Sequence, residues 1–155
     1  MKKHASNQVF HPNQTTILIP AFNEERFLRQ CLDSVVKQAD RVLIGDNAST
    51  DGTATICREY VEKYEHIQYI RHDTNVGAVE NIIRLVKLVE TEFVMQIGAH
   101  DKLPENYIVT LKNLLHADSD AVCAYGNCFW VKLDDTISKT LDFASVRAGM
   151  LNDDP

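Results

Sequence analysis

Apolar residues fall in short runs along this chain, and a stretch of helical spacing follows each run. Thr16, Ile17, Leu18 and Ile19 form the first run, closed by Pro20, and read as a strand. Asn23 stands where an N-cap is wanted, and Phe27, Leu28, Cys31, Leu32, Val35 and Val36 then recur at helical spacing up to Gln38. Arg41, Val42, Leu43 and Ile44 give a second strand. A polar loop from Gly45 to Gly52 separates it from a helix carrying Ile56, Cys57, Tyr60 and Val61. Ile67 to Ile70 is a third strand. Asn75, Val76 and Gly77 open a third helix with Val79, Ile82, Ile83, Val86 and Val89 on one side. Phe93 to Ile97 is a fourth strand. Pro104 sits where a first helical turn tolerates it, ahead of Tyr107, Ile108, Leu111, Leu114 and Leu115. Ala121 to Tyr125 reads as a fifth strand. After Gly126, residues 127–133 and 137–143 flank Asp134 and Asp135 as a hairpin or antiparallel extension.

Strands that alternate with helices in this way predict an α/β fold, a mostly parallel sheet with helices on both faces and an antiparallel extension near the C-terminus. Residues 1–14 hold Lys2, Lys3 and His4 but no apolar segment, and read as a flexible tail. Residues 15–155 read as one domain. Its last stretch, from Ser145 to Pro155, has no strong pattern, so the domain reads as incomplete on its C-terminal side.

Composition narrows the classes. The chain has 155 residues, 45% hydrophobic and 25% charged, which is enough for one core of ordinary globular composition. No apolar run approaches the ~20 residues of a membrane span. A net charge of −6 argues against a nucleic-acid partner. It also means that a bound diphosphate needs local positive charge from helix N-termini, Arg or Lys, or a divalent metal. The cysteines Cys31, Cys57, Cys123 and Cys128 form no CxxC pair, and Cys31 and Cys57 read as small buried apolar residues. A cytoplasmic setting, at most at the inner face of a membrane, fits.

Ligands of open α/β sheets bind beyond the carboxyl ends of the strands. The loops there are polar: Pro20, Ala21, Phe22, Asn23, Glu24 and Glu25 after the first strand; Gly45 to Thr53 after the second; Gly98, Ala99, His100, Asp101 and Lys102 after the fourth. No GxGxxG follows the first strand and no GxxxxGK[ST] occurs, which weakens dehydrogenase and P-loop readings.

Those loops carry a resemblance. Pro20-Ala21-Phe22-Asn23-Glu24 resembles the first-strand signature of family 2 glycosyltransferases, the inverting group with the GT-A fold. Asp46 to Thr53 resembles that family's Asp-Asp-Gly-Ser-Thr-Asp-Gly-Thr loop. Asn75-Val76-Gly77 with Asn81 resembles its Asn-x-Gly region in part, and Leu103-Pro104 matches the segment after its Asp-x-Asp motif. The resemblance covers roughly residues 15 to 133. It implies a transferase that moves a sugar from a nucleoside-diphosphate sugar, a UDP-sugar in the first instance, to an acceptor hydroxyl of a glycan or another molecule, with inversion, as in cell-surface polysaccharide biosynthesis. It further implies nucleotide-sugar contacts from Pro20, Ala21, Phe22, Asn23, Glu24, Asp46, Asn47, Ser49, Gly77 and Asn81. Mn²⁺ or Mg²⁺ would be held by Asp101 with His100. Two departures stand out: the family's Asp-x-Asp-Asp is Gly98-Ala99-His100-Asp101 here, and Asn47 replaces a common Asp. The acceptor base is expected outside these residues, so this chain alone is expected to transfer little sugar.

Plainer roles compete. Asn23 as an N-cap, Asp46 as the brace of its own turn, and Ser49, Thr50 and Asp51 as loop ties are all ordinary uses of these residues. The rival functions are a non-catalytic binding or scaffold module, favoured by Gly98 and Ala99, and a nucleotidyltransferase, disfavoured by the absence of a basic glycine-rich loop after the first strand.

Overall fold

The structure, a computed structural model, describes residues 11–126, 128–131 and 136–141. Its contacts divide the chain after Ile108 into two units.

In the first unit, β1 (His11–Ala21), β2 (Arg41–Asp46), β3 (Ile67–Arg71) and β4 (Thr91–Gln96) form one all-parallel sheet in the order β3-β2-β1-β4. Side chains alternate across it as the period of two requires. Ile17, Ile19, Val42 and Ile44 point to one face and pack with Leu28, Leu32 and Val35 of α1 (Leu28–Val35) and Ile56, Cys57 and Tyr60 of α2 (Thr53–Lys63). Leu18 and Leu43 point to the other face and pack against Leu85 of α3 (Ala78–Val86). The expected parallel sheet with helices on both faces is present.

The order places a switch point between β1 and β4. From β1 the chain steps outward to β2 and β3, then returns to the other side of β1. Loops leaving adjacent strands in opposite directions open a crevice at their carboxyl ends.

Four local expectations need correction. β1 starts at His11, so residues 11–14 belong to the sheet and not to a tail. A register shift after His11 fits them beside β4, where Glu92 accepts the Asn13 N–H at 2.7 Å. Residues 1–10 lie outside the described set. Asn23 is not a helix cap: α1 begins at Leu28, after Phe27, and Asn23 takes a left-handed φ of 56° to reach a neighbouring loop. Of the expected apolar stripe, Val79 (71%), Ile83 and Val86 on α3 are exposed, while Val89 after the helix packs against the Leu18, Leu43 and Leu85 cluster. The buried positions are Asn81 and Leu85, because an amide finds partners under the sheet that an aliphatic chain would not. Residues 121–126 form no strand. Val122 is 97% exposed there, so β-branched composition alone did not make a ladder where no partner strand lies alongside among the described residues.

The second unit holds α4 from Val109 onward (Tyr107–Ala117 in full) and an antiparallel pair, β5 (Cys128–Val131) with β6 (Ile137–Leu141). The pair agrees with the expected extension; Asp134 and Asp135, expected between its strands, lie outside the described residues. No helix among the described residues is long and apolar enough to cross a membrane.

Candidate functional site

The β1 and β2 loops are stitched to each other. Asn23 donates its N–H to Ser49 Oγ at 3.0 Å and its Oδ1 accepts the Thr50 N–H at 2.8 Å. The Glu24 N–H reaches Thr53 Oγ1 at 2.8 Å, and the Glu25 N–H reaches Asp51 Oδ2 at 3.1 Å. Glu25 returns a carboxylate oxygen to the Gly52 N–H at 2.8 Å. A side chain at Gly52 would displace that carboxylate and break its bond to the loop. These reciprocal bonds satisfy loop amides that neither loop could satisfy alone. Ser49 and Asn23 thus serve as loop ties, while Phe22 is left 46% exposed beside them. Pro20 and Ala21 end β1 in register with Gly45 and Asp46, and Ala21 accepts the Asn47 N–H.

Asp46 ends β2 with its carboxylate fully buried. Oδ1 accepts the Ser49 N–H at 2.8 Å; Oδ2 accepts the Tyr69 hydroxyl at 2.6 Å and Arg71 Nη1 at 3.1 Å. Arg71 also donates to the Ser49 carbonyl at 2.8 Å. Burial, then the bond to Asp46, pushes the Tyr69 hydroxyl up to about 12, so it stays a donor. Asp46 is therefore surrounded by its own protein's donors, and it positions the β2 loop and Arg71. Arg71 is not among the residues expected at the site, yet it sits opposite Asp46 in the β2–β3 register. Its guanidinium-bearing side chain stays 40% exposed, which makes it a cation held at the carboxyl end of β3.

Asn47 is 3% exposed and its amide is engaged with Asn75 and Val76. Asn81 is 1% exposed; its Nδ2 donates to the Gly45 carbonyl at 2.7 Å and its Oδ1 lies 3.0 Å from His72 Nε2. Gly45 has no room for a side chain because Asn81 fills that space. Gly77 caps α3 with φ 87°, a conformation that favours glycine. Of the expected contacts, Phe22, Glu24, His100 and Asp101 have open side chains or stand next to ones that do, while Asp46, Asn47 and Asn81 face inward.

The β4 loop meets the β1 loop through His100, whose Nδ1 lies 2.9 Å from Glu24 Oε1. That hydrogen bond raises the imidazole above its ordinary value. Asp101 turns back so that Oδ2 accepts the Gly98 N–H at 3.2 Å, occupying the space that a side chain at Gly98 would need. Cys31, pushed up to about 12 by burial, donates weakly to the Gly98 carbonyl from α1. Among the described residues, no three His, Cys, Asp or Glu side chains converge to hold a metal ion. The donors present fit only a cation that takes most of its ligands from phosphate oxygens and water, as Mg²⁺ and Mn²⁺ do.

Comparison with known proteins bears on this arrangement. The profile described as "Glycosyl transferase family 2" matches residues 16–147. The chain is 27% identical over 121 residues to glycosyltransferase GlyA of Streptococcus pneumoniae serotype 4, an overlap covering 76% of this chain and 17% of that protein. TarS 1-349 of S. aureus in complex with UDP-GlcNAc superposes with a TM-score of 0.62 at 23% identity, over 67% of this chain and 31% of that one. The mannosyltransferase PcManGT of Pyrobaculum calidifontis, in complex with GDP-Man and Mn²⁺, gives 0.63 at 22% identity, over 77% and 35%. At those identities the two structures speak to the fold. The chain thus spans well under half of each of these proteins.

Proposed function

This chain belongs to glycosyl transferase family 2, and from that premise we propose that it is the donor-binding part of a glycosyltransferase, holding a nucleoside-diphosphate sugar at the carboxyl ends of β1, β2 and β4 for inverting transfer to an acceptor hydroxyl. The observation that carries the proposal is the stitched pair of β1 and β2 loops at the β1/β4 switch point. Interloop bonds fix a polar rim before any ligand arrives, so little ordering is left to oppose binding. UDP is the expected nucleotide. The UDP-GlcNAc complex of a protein with this fold supports that choice, and the GDP-Man complex of another makes GDP the competitor.

In this reading the exposed Phe22 ring and the 20–24 loop receive the nucleoside. Arg71, held by Asp46 and Ser49, offers positive charge in a chain of net charge −6. Asp101 would hold a divalent cation together with the diphosphate, with His100 beside it. Such a cation supplies charge neutralisation to the departing diphosphate. None of the described residues is assigned as the acceptor base. The whole protein would act in building a cell-surface glycan.

A second reading, a binding module without transfer chemistry, has one observation in its favour. Gly98 and His100 stand where the family pattern has carboxylates. Titration of the chain with UDP, GDP and ADP, with Mn²⁺ and with EDTA, separates the readings. Metal-dependent UDP binding supports the transferase, and metal-independent binding supports the module.

A further inference from the structure

Asn47 stands where the family commonly has a carboxylate, and its surroundings give that amide a specific task. Its backbone N–H donates to the Ala21 carbonyl at 2.9 Å, anchoring it to the end of β1. Its Oδ1 accepts the Val76 N–H at 2.8 Å, and its Nδ2 donates to Asn75 Oδ1 at 2.8 Å. Asn75 Oδ1 in turn accepts the Gly77 N–H at 2.9 Å. Backbone N–H groups only donate, so Val76 and Gly77 fix which end of each amide is oxygen. The Asn47 NH₂ is then the group facing Asn75.

We propose that Asn47 and Asn75 act as a matched amide pair that latches the 75–77 segment to the β2 loop, and that Asn47 is a positioning residue rather than the group that reads the base. The proposal rests on the nucleoside-binding role given above to the loops at this end of the sheet. The latch joins three pieces of chain at one edge of that site: the end of β1, the end of β2 and the turn before α3. Its far end is Gly77, whose φ of 87° starts the helix with no side-chain cap of its own. A carboxylate at position 47 would set two acceptors against each other across the Asn75 contact. Turning Asn75 over would relieve that, but would then aim its NH₂ at the Gly77 N–H. An aspartate at position 47 would therefore forfeit the bond that Asn47 makes to Asn75 in this chain.

The test uses the full chain with UDP as probe, in N47D, N75A and N47D/N75A variants. Calorimetry gives affinity, and hydrogen exchange of the Val76 and Gly77 amides without ligand reports the latch directly. N47D and N75A are each expected to weaken UDP binding about five- to tenfold, the scale of one or two net hydrogen bonds, and to speed exchange at Val76 and Gly77. The double variant is expected to be no weaker than the worse single one, because both substitutions break the same latch. Asn75 is exposed, so N75A keeps the test open if N47D fails to fold. If N47D binds UDP as well as or better than the unsubstituted chain, or if N75A changes neither affinity nor exchange, the proposal is overturned. If the unsubstituted chain binds no nucleotide, the nucleoside reading fails, and the exchange rates still decide whether the latch exists.

Discussion

The Tyr69 hydroxyl donates to Asp46 Oδ2 across 2.6 Å, and the same oxygen receives Arg71 from 3.1 Å. A fully buried carboxylate with this set of donors is a structural centre of the β2 loop.

Asp46→Asn keeps the shape and removes the charge, leaving a donor facing Tyr69 and Arg71. It should lower unfolding stability by about 1–3 kcal/mol, the cost of a buried polar group left unsatisfied, and by more than Tyr69→Phe because three bonds to the carboxylate are affected and not one. Tyr69→Phe removes one bond and should cost about 1 kcal/mol. Urea unfolding of both variants checks the order, and an equal or reversed order contradicts it.

Two glycines should fail differently when changed to alanine. At Gly45 the new methyl collides with Asn81, so the cost is overpacking, about 1–3 kcal/mol, and the α3 contact must shift. At Gly77 nothing lies in the way, and the cost is a positive-φ extended backbone that is essentially glycine's alone, about 1–3 kcal/mol. Crystal structures or amide shifts of the two variants tell them apart: displacement around Asn81 belongs to Gly45→Ala alone.

The pair of His100 and Glu24 sets a pH dependence. The folded-state pKa of His100 is raised by its bond to Glu24, above the ordinary imidazole value of about 6.5. The contribution of the pair is therefore fully present below that value and is lost as pH rises through the folded-state pKa. His100 is mostly exposed, so the effect on overall stability is small and the direct readout is NMR titration of the ring. Glu24→Gln should lower the His100 midpoint toward the ordinary value; an unchanged midpoint rules the pair out as the cause.

Much of the scaffold was legible in the sequence. The apolar runs within residues 16–19 and 41–44 located β1 and β2, because strands buried on both faces read as continuous apolar runs. The loops bearing the polar motifs lie at the carboxyl ends where an α/β sheet puts them. What the sequence did not convey is direction. Asn23, Asp46, Asn47 and Asn81 are polar and well placed, yet each spends its hydrogen-bonding groups on the protein, since those partners lie 27, 25, 29 and 36 residues away in the chain. The α3 stripe of Val79, Ile83 and Val86 misled for the same reason. Periodicity marks an apolar face without saying that Asn81 on the opposite side will find His72 and the Gly45 carbonyl. The strand expected at residues 121–125 had the composition but lacked a ladder.

Asp101 carries the prediction about metal. It is an exposed carboxylate in a loop whose other candidate ligand, His100, is paired with Glu24. Mn²⁺ alone should bind weakly, and better once UDP adds its phosphate oxygens. Asp101→Asn should abolish the Mn²⁺-dependent part of UDP binding while leaving the metal-free part in place. Equal enhancement by Mn²⁺ in the variant and the unsubstituted chain shows that Asp101 is not a ligand.

The central claim is that the stitched loops form a nucleoside-diphosphate site, and calorimetric titration of the purified chain with UDP, GDP, TDP and ADP tests it most directly. The account predicts saturable binding of one nucleotide per chain, tightest for UDP and weakest for ADP. Binding tightest for ADP, or no binding of any of the four, contradicts it.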